Sequence, residues 1–433
     1  MKILLITDEV WNDDINGNNI LTNWFDGFDA QIYNIYCSPG RPKNKCCENY
    51  FQITDSMMAK SLLGKGKAGI QFKYDYENGQ DVSQGQQSDK EKKFYRFMKS
   101  ITTESIRAVR EFLWLYGSYD ENKLKSFVED AKPDIIFSPR YASRKILRLE
   151  RIVHKYAKVP IVAFTADDEY TLAQFRISPI YWIRRLLLRK DLRKNMKLYS
   201  KYYMFSEEQM DFYKKEFGID AECLYKVGDF SDKYIDKSVN TPIRMVYAGK
   251  LYCNRWKVLR DIGRVLERIN KDEVKIVLNI YTKDSISRSI QTNLHDERNI
   301  FLNDGVSVEE LNEIYRLSDI ALHVESSDIK NRLLTRYSFS TKIIDCLASS
   351  CAVVAVCWSG QSGYKYLQKQ DAALCFDNMD KLYHELKEMT LNDDLLKAYQ
   401  EKAWKCGKEY HNRVMEQKRL KEDFEYIIEK NNS

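Results

Sequence analysis

Short apolar runs, each closed by a polar or glycine-bearing turn, recur along most of this chain. Residues 2–7 form the first, a run of buried-strand length that ends in Asp8-Glu9. A polar loop containing Gly17 then leads to an apolar-patterned helix at 20–25, and 31–37 reads as a second strand. The strand pattern repeats at 134–138, 160–164 and 202–205, while helical periodicity fills 93–130 and 144–156. Ser178-Pro179 marks a further helix start, with serine placed to cap and proline at the first position. Residues 64–92 are polar, with a Gln- and Ser-rich part at 79–88, and are expected to form an exposed, mobile excursion. A polar tract at 228–241 reads as a linker. The rhythm then restarts with strands at 245–248, 274–281, 300–302, 320–324, 352–356 and 372–376, and from Asp380 on the chain is helical and charged. Strands alternating with helices predict parallel sheets covered on both faces.

The stretch Tyr337-Ser-Phe-Ser-Thr-Lys-Ile-Ile-Asp-Cys-Leu-Ala348 lies between a long polar loop and the strand at 352–356. Ser340 or Thr341 is expected to cap a helix there, because its side-chain oxygen can accept from an unpaired backbone N–H. A helix N-terminus gathers free N–H groups and partial positive charge, which suits a phosphate. Small residues at Ser338, Ser340 and Thr341 would admit such a ligand, Lys342 would add a cation, and Asp345 could accept from ribose hydroxyls. An ordinary strand–loop–helix–strand unit also fits this pattern.

Ligands in open parallel sheets bind beyond the carboxyl ends of the strands. In the second half those ends offer Gly249-Lys250, Asn303-Asp304-Gly305, Glu325 with its loop, and Trp358-Ser-Gly360. In the first half they offer Asp8 with the Gly17 loop, Arg140, and Asp167-Asp168. The 325–340 loop is long for its place, which points to function. It carries Arg332 and Arg336, side chains apt for phosphate.

Composition narrows the class. The 433 residues allow two or three domains, and 44% hydrophobic with 30% charged residues describes a soluble globular chain. A net charge of +6 is small for this length and no nucleic-acid motif accompanies it, so nucleic acid is not an expected partner. The ten cysteines include no C-x-x-C pair and read as buried thiols in a reducing compartment. Their spacing with histidine offers no zinc site. No run approaches the ~20 apolar residues of a spanning helix, and the first run is too short for a signal peptide. The expected location is the cytoplasm.

Tyr247-Ala-Gly249-Lys250-Leu251-Tyr-Cys-Asn-Arg255 sets two basic residues after a strand and a glycine. It resembles the G-[RK]-L-x-x-x-[KR] segment of nucleotide-sugar-dependent glycosyltransferases with the GT-B fold, in the large retaining group that carries an E-x7-E motif. The 337–348 stretch resembles that motif, with Tyr337 and Asp345 where the family has glutamates and Ser350 in place of a usual glycine. Its Ser-Thr-Lys-Ile-Ile-Asp-Cys-Leu-Ala form looks like a variant found in bacterial surface-polysaccharide transferases.

The resemblance implies an α/β fold of two Rossmann-like domains facing across a cleft. Residues 1–235 would form the acceptor side and 236–405 the nucleotide-sugar-binding domain, with a helical tail, 406–433, crossing back to the first. It implies that Lys250 and Arg255 stabilise the charge of the leaving diphosphate. Asp345 would hold the donor ribose, and Ser338, Ser340, Thr341 and Lys342 the diphosphate. Asp304, Gly305 and Val306 would border the base, Gly17 would face the donor phosphates, and Gly249 would belong to the same site. The implied reaction moves a sugar from a nucleotide-sugar to a glycan or lipid-linked glycan acceptor in surface polysaccharide biosynthesis, with retention and without metal or other cofactor. An inverting enzyme would instead need a general base, for which Asp167, Asp168 and Asp8 are placed. Tyr337 leaves two other classes open: a catalytically silent nucleotide-sugar-binding partner of a polysaccharide assembly complex, and a sugar-nucleotide epimerase.

Residues 180–201 interleave arginines and lysines with Trp182 and apolar side chains, and Leu188, Leu192, Met196 and Tyr199 form one apolar stripe. A basic amphipathic helix with tryptophan suits an anionic membrane surface and would place the protein on the cytoplasmic face of a membrane. A core helix with a solvated basic face is the alternative reading.

Overall fold

A computed structural model describes residues 1–14, 19–74, 103–141 and 143–432. The chain divides into two compact units, one made of Met1–Leu224 with Glu416–Ser433 and the other of Tyr225–Met415. The tract at 228–241 lies inside the second unit, where the Asn240 side chain donates to the Asp319 carboxylate at 3.0 Å.

The first unit is built on β1 (Lys2–Thr7), β2 (Gln31–Tyr36), β3 (Asn49–Gln52), β4 (Ile70–Lys73), β5 (Ile135–Arg140), β6 (Ile161–Thr165), β7 (Tyr199–Met204) and β8 (Ala221–Cys223). Among the described residues they form one sheet ordered β4-β3-β2-β1-β5-β6-β7-β8, parallel throughout except between β3 and β4. Ile3, Leu4, Leu5 and Ile6 are fully buried, as an unbroken apolar run must be when helices cover both faces of a strand. Residues 70–73, expected within a mobile excursion, are instead the antiparallel edge strand β4, and 75–92 lie outside the described residues. The helical pattern at 93–130 becomes two helices, Glu104–Tyr116 and Glu121–Ala131, while 93–102 lie outside the described residues.

The helix Arg413–Asn432 completes this unit's core with its later turns. Phe424 is fully buried, 5.6 Å from the Phe137 ring and 6.5 Å from that of Phe28. Asp423 accepts from Lys201 at 3.1 Å and from the Tyr203 hydroxyl. At the end of β5, Arg140 is fully buried, 3.2 Å from Glu169 and 3.5 Å from Glu150, so this strand-end cation serves the interior.

Ser178 caps the helix Pro179–Asn195 by accepting from the Tyr181 N–H at 3.3 Å. The helix stops well before residue 201, because Tyr199 already starts β7. Leu188, Leu192 and Tyr199 are buried, so the apolar stripe seen in the sequence faces the core.

The second unit is built on β9 (Ile243–Ala248), β10 (Ile276–Thr282), β11 (Ile300–Asp304), β12 (Ile320–Val324), β13 (Ala352–Val356) and β14 (Leu374–Phe376). All described pairs are parallel and the order is β11-β10-β9-β12-β13-β14. The chain enters at β9, steps outward to β11, and restarts on the other side of β9 with β12. This is the doubly wound order, and its reversal point lies between the carboxyl ends of β9 and β12.

Candidate functional site

At that reversal β9 gives way to Gly249 and Lys250. A Cβ on Gly249 would fall 1.7 Å from Lys342 Nζ, and the backbone there has φ of +152°. Only a glycine leaves room for the incoming ammonium. Lys342 opens the short helix Lys342–Leu347, and its Nζ donates to the Tyr247 hydroxyl at 3.1 Å, 4.7 Å from the centre of that ring. The same hydroxyl donates onward to the Lys250 carbonyl at 2.7 Å. Burial, and then the charge of Arg255, bring Lys342 down to about 8, against the pull of Glu325.

Arg255 begins the helix Arg255–Ile269 and is only 5% exposed. Its Nε and Nη2 donate to Glu325 Oε2 at 3.1 Å and Oε1 at 2.5 Å. Glu325 is the first residue after β12, so this two-pronged pair joins the strand ends on either side of the reversal. The guanidinium also lies 4.4 Å from the centre of the Tyr252 ring. A guanidinium has further N–H groups beyond the two that Glu325 takes.

A polar net ties the flanking loops together. Asp328 accepts from Asn254 at 3.0 Å and from the Asn331 side chain at 2.8 Å, and Asn331 also donates to the Cys253 carbonyl at 2.9 Å. Burial alone would raise Asp328, but hydrogen bonds from Ser326, Asn254 and Asn331 hold it far below the usual carboxylate range. Asp328 also caps the helix Ile329–Thr335 by accepting from the Asn331 N–H at 3.1 Å. The 325–340 segment is therefore not one long loop. Arg332 lies 5.8 Å from the centre of the Trp358 ring, and Arg336 lies 4.4 Å from that of Tyr337. Gln361 steadies the turn before the Lys342 helix by donating to the Ser338 carbonyl at 2.6 Å.

Thr341 occupies the cap position of that helix, but its side chain makes no cap bond and its backbone is already helical. The turn closes instead through Ile343 N–H to the Ser340 carbonyl at 3.0 Å. Asp345 is half-exposed and accepts from Lys226 at 2.6 Å. Lys250, just after β9, is exposed, as are Asp304 and Gly305 at the end of β11, where Val306 follows in the chain. His323 is buried on β12. Burial, then Arg255 and Lys342, lower it to about 3, so it stays neutral at physiological pH.

In the first unit, Gly17 lies outside the described residues. Asp8 pairs with Lys145 at 2.5 Å, and Asp167 is exposed. Asp168 is buried. It accepts from the N–H groups of Tyr170 at 3.1 Å and Thr171 at 2.8 Å, and it pairs with Arg185 at 2.9 Å. Among the described residues no group of three or more His, Cys, Asp or Glu is placed to hold a metal ion.

The structure thus gathers Gly249, Lys250, Arg255 and Lys342. It adds Tyr247, Asn254 and Asp328, to which sequence reasoning gave no role, and it brings in Glu325, expected among the ligand-facing strand ends but not as the partner of Arg255. For Glu325 a signal was present, since it directly follows the strand at the reversal.

Solved structures similar to the whole chain settle the architecture. HepE from Anabaena in complex with UDP is 10% identical, covering 98% of this chain and 100% of its own, with a TM-score of 0.60. The chain has the GT-B fold. Similar GT-B structures include a glycosyltransferase from Rickettsia africae, 12% identical over 98% of each chain with a TM-score of 0.58. An alpha,alpha-trehalose-phosphate synthase (UDP-forming) from Burkholderia xenovorans in complex with glucose-6-phosphate is 11% identical, covering 98% of this chain and 100% of its own, with a TM-score of 0.57. No protein-family model matches the sequence, and no curated protein does. In this GT-B chain each unit is one α/β domain on a mainly parallel sheet.

Proposed function

We propose that this GT-B chain is a glycosyltransferase whose second unit binds a nucleoside diphosphate sugar at the β9–β12 reversal. The observation that carries the reading is the ammonium of Lys342 seated against Gly249, with Arg255 close enough to lower its basicity. A diphosphate would find two cations and the exposed Lys250 at the strand ends where doubly wound sheets bind ligands. Among similar structures, HepE is in complex with UDP and the Burkholderia xenovorans synthase is UDP-forming.

In this reading Lys250, Arg255 and Lys342 stabilise the negative charge that grows on the departing diphosphate. The backbone at Ser338, Ser340 and Thr341 borders the phosphates. Asp345 accepts from the ribose hydroxyls, exchanging its contact with Lys226, and Asp304, Gly305 and Val306 flank the base. The reaction belongs to the retaining E-x7-E group with Tyr337 and Asp345 in the glutamate places, and it needs no metal. The acceptor is a glycan or lipid-linked glycan of a surface polysaccharide, and the reaction takes place in the cytoplasm. Should the enzyme invert, Asp167 is the base to test, because Asp168 is already committed to its turn and to Arg185.

The direct test is thermal unfolding with UDP, GDP, ADP and their sugars. A ligand at 100 times its Kd adds about 2.7 kcal/mol of stability. One nucleoside diphosphate should raise Tm, and Lys342→Ala and Asp345→Ala should each lose most of that rise. No rise with any of them at millimolar concentration would overturn the reading.

The pH dependence follows from Lys342. Its ammonium loses its proton near pH 8, so diphosphate affinity should fall as pH rises from 7 to 9.5. Lys342→Arg should flatten that fall, because a guanidinium stays charged. Stability of the free protein should respond in the opposite sense. Between about 8 and the ordinary lysine value of 10.5 the unfolded chain keeps a proton that the folded chain has released, so this lysine's contribution grows with pH. Titration calorimetry across that range checks the affinity and denaturant unfolding checks the stability, and a flat wild-type affinity profile would remove Lys342 from the phosphate site.

A further inference from the structure

The first unit holds a second concentration of positive charge. A cavity of about 780 Å³ lies among the helices Glu104–Tyr116, Arg144–Ala157 and Pro179–Asn195, and its walls carry ten lysines and arginines against three carboxylates. Some of these cations are neutralised within the wall: Arg144 meets Asp191 at 2.7 Å and Glu111 at 3.3 Å, and Arg184 meets Glu111 at 2.6 Å. The side chains of Lys155, Lys190 and Lys194 have no hydrogen bond or ion pair among the described residues.

Exposed apolar side chains stand on two of these helices, Glu104–Tyr116 and Pro179–Asn195. Ile180, Ile183 and Leu187 recur at intervals of three and four residues, so they share one helix face, and Lys190 and Lys194 continue that stripe. Val109, Phe112 and Tyr116 form a stripe on the other side of Glu104–Tyr116 from the cavity-lining Arg107, Glu111 and Trp114. These six apolar residues are between 37% and 59% exposed, and Ile177, just before the cap of the second helix, is 90% exposed. Arg184 ties the two helices together through Glu104 and Glu111. Leu115 and Leu187, one from each helix, line the cavity itself.

We propose that this face of the first unit docks on a bilayer of anionic phospholipid, with headgroup phosphates entering the cavity and the Ile180–Ile183–Leu187 stripe entering the acyl boundary. Cations without side-chain partners among the described residues attract anionic headgroups, while the aliphatic side chains beside them gain by leaving water. Nucleic acid would satisfy the cations but leave the Ile180–Ile183–Leu187 stripe in solvent. The docking face is separate from the Leu188–Leu192 stripe, which is core. The inference does not depend on donor binding in the second unit.

The test is co-sedimentation of the full chain with phosphatidylcholine vesicles, with and without phosphatidylglycerol. Binding should need phosphatidylglycerol and weaken as salt rises. Lys190→Glu with Lys194→Glu should weaken it about tenfold or more, given the usual contribution of each basic residue near an anionic surface. Ile180→Ser with Ile183→Ser should weaken it as well. Lys214→Glu with Lys215→Glu, an equal charge change on exposed residues that do not line the cavity, should leave most of it intact. Wild-type protein that ignores phosphatidylglycerol vesicles would overturn the proposal. So would full binding by the Lys190/Lys194 variant, or capture of inorganic pyrophosphate or single-stranded RNA in preference to vesicles. Thermal shifts with UDP on the same variants keep a failure here distinct from a failure of the donor site.

Discussion

Gly249→Ala is expected to weaken nucleoside diphosphate binding by roughly ten- to a hundred-fold in a protein that still folds. The added methyl would lie 1.7 Å from Lys342 Nζ and 2.3 Å from its Cε. Both atoms belong to the far end of a flexible side chain, so the lysine swings away and the sheet stays in place. The backbone conformation, easy for glycine, adds a strain of about 1–3 kcal/mol for alanine. What is lost is the ammonium beside the Tyr247 hydroxyl and Arg255. A hydrogen bond to a charged group contributes about 1.5–3 kcal/mol, which sets the expected range. Adding Lys342→Ala to Gly249→Ala should then cost almost nothing further in affinity, because the first change has already removed the same cation. Calorimetry on the two single variants and the double variant reads this coupling, and wild-type affinity in Gly249→Ala would show that the diphosphate does not use that ammonium.

Glu325→Ala is expected to destabilise the second unit by about 3–5 kcal/mol, because it leaves a buried guanidinium without its two-pronged partner. Arg255 and Glu325 are 5% and 3% exposed, so water cannot replace the carboxylate without opening the site. A loss of this size is a large share of the 5–15 kcal/mol that usually holds a domain together. Replacing both residues, Arg255→Met with Glu325→Leu, should recover most of that stability, because an apolar pair of similar size often packs as well as a buried ion pair. The recovered protein should not regain donor binding. Calorimetric unfolding with and without UDP separates the two effects, and a Tm within a degree or two of wild type for Glu325→Ala would contradict the assignment.

The parts of this structure readable from sequence share one physical property: their signal is local. β1 and β13 carry unbroken apolar runs, and β12 one interrupted only by His323, because helices bury both of their faces. β4 and β8 are the edge strands and β3 lies next to one edge, and each has only three or four residues. Ile70–Lys73 turns one side chain inward and leaves three exposed, which reads as loop. The segment from Gly249 to Arg255 was legible because a strand, a glycine and two cations lie within a few positions. The partners of those cations were not. Arg255 finds Glu325 across 70 residues and Lys342 finds Tyr247 across 95, and only the order of β9 and β12 brings them together. Thr341 shows the limit from the other side. It has the composition of a cap, yet its backbone has already turned helical and its hydroxyl has no cap to make. The stripe from Leu188 to Tyr199 shows it again, since amphipathic periodicity marks a buried face without saying whether protein or lipid buries it.

Leu420 and Phe424 complete the interior of the first unit, although they follow the whole second unit in the chain. A ribosome therefore delivers every strand of the first sheet long before it delivers the side chains that close over Phe137. In the interval the nascent first unit keeps an open apolar seam, while the second unit is already complete and free to fold. Domains made in sequence usually fold in that order. Here the unit that starts first is the one that finishes last, and its unfinished seam is where a chaperone would be expected to bind.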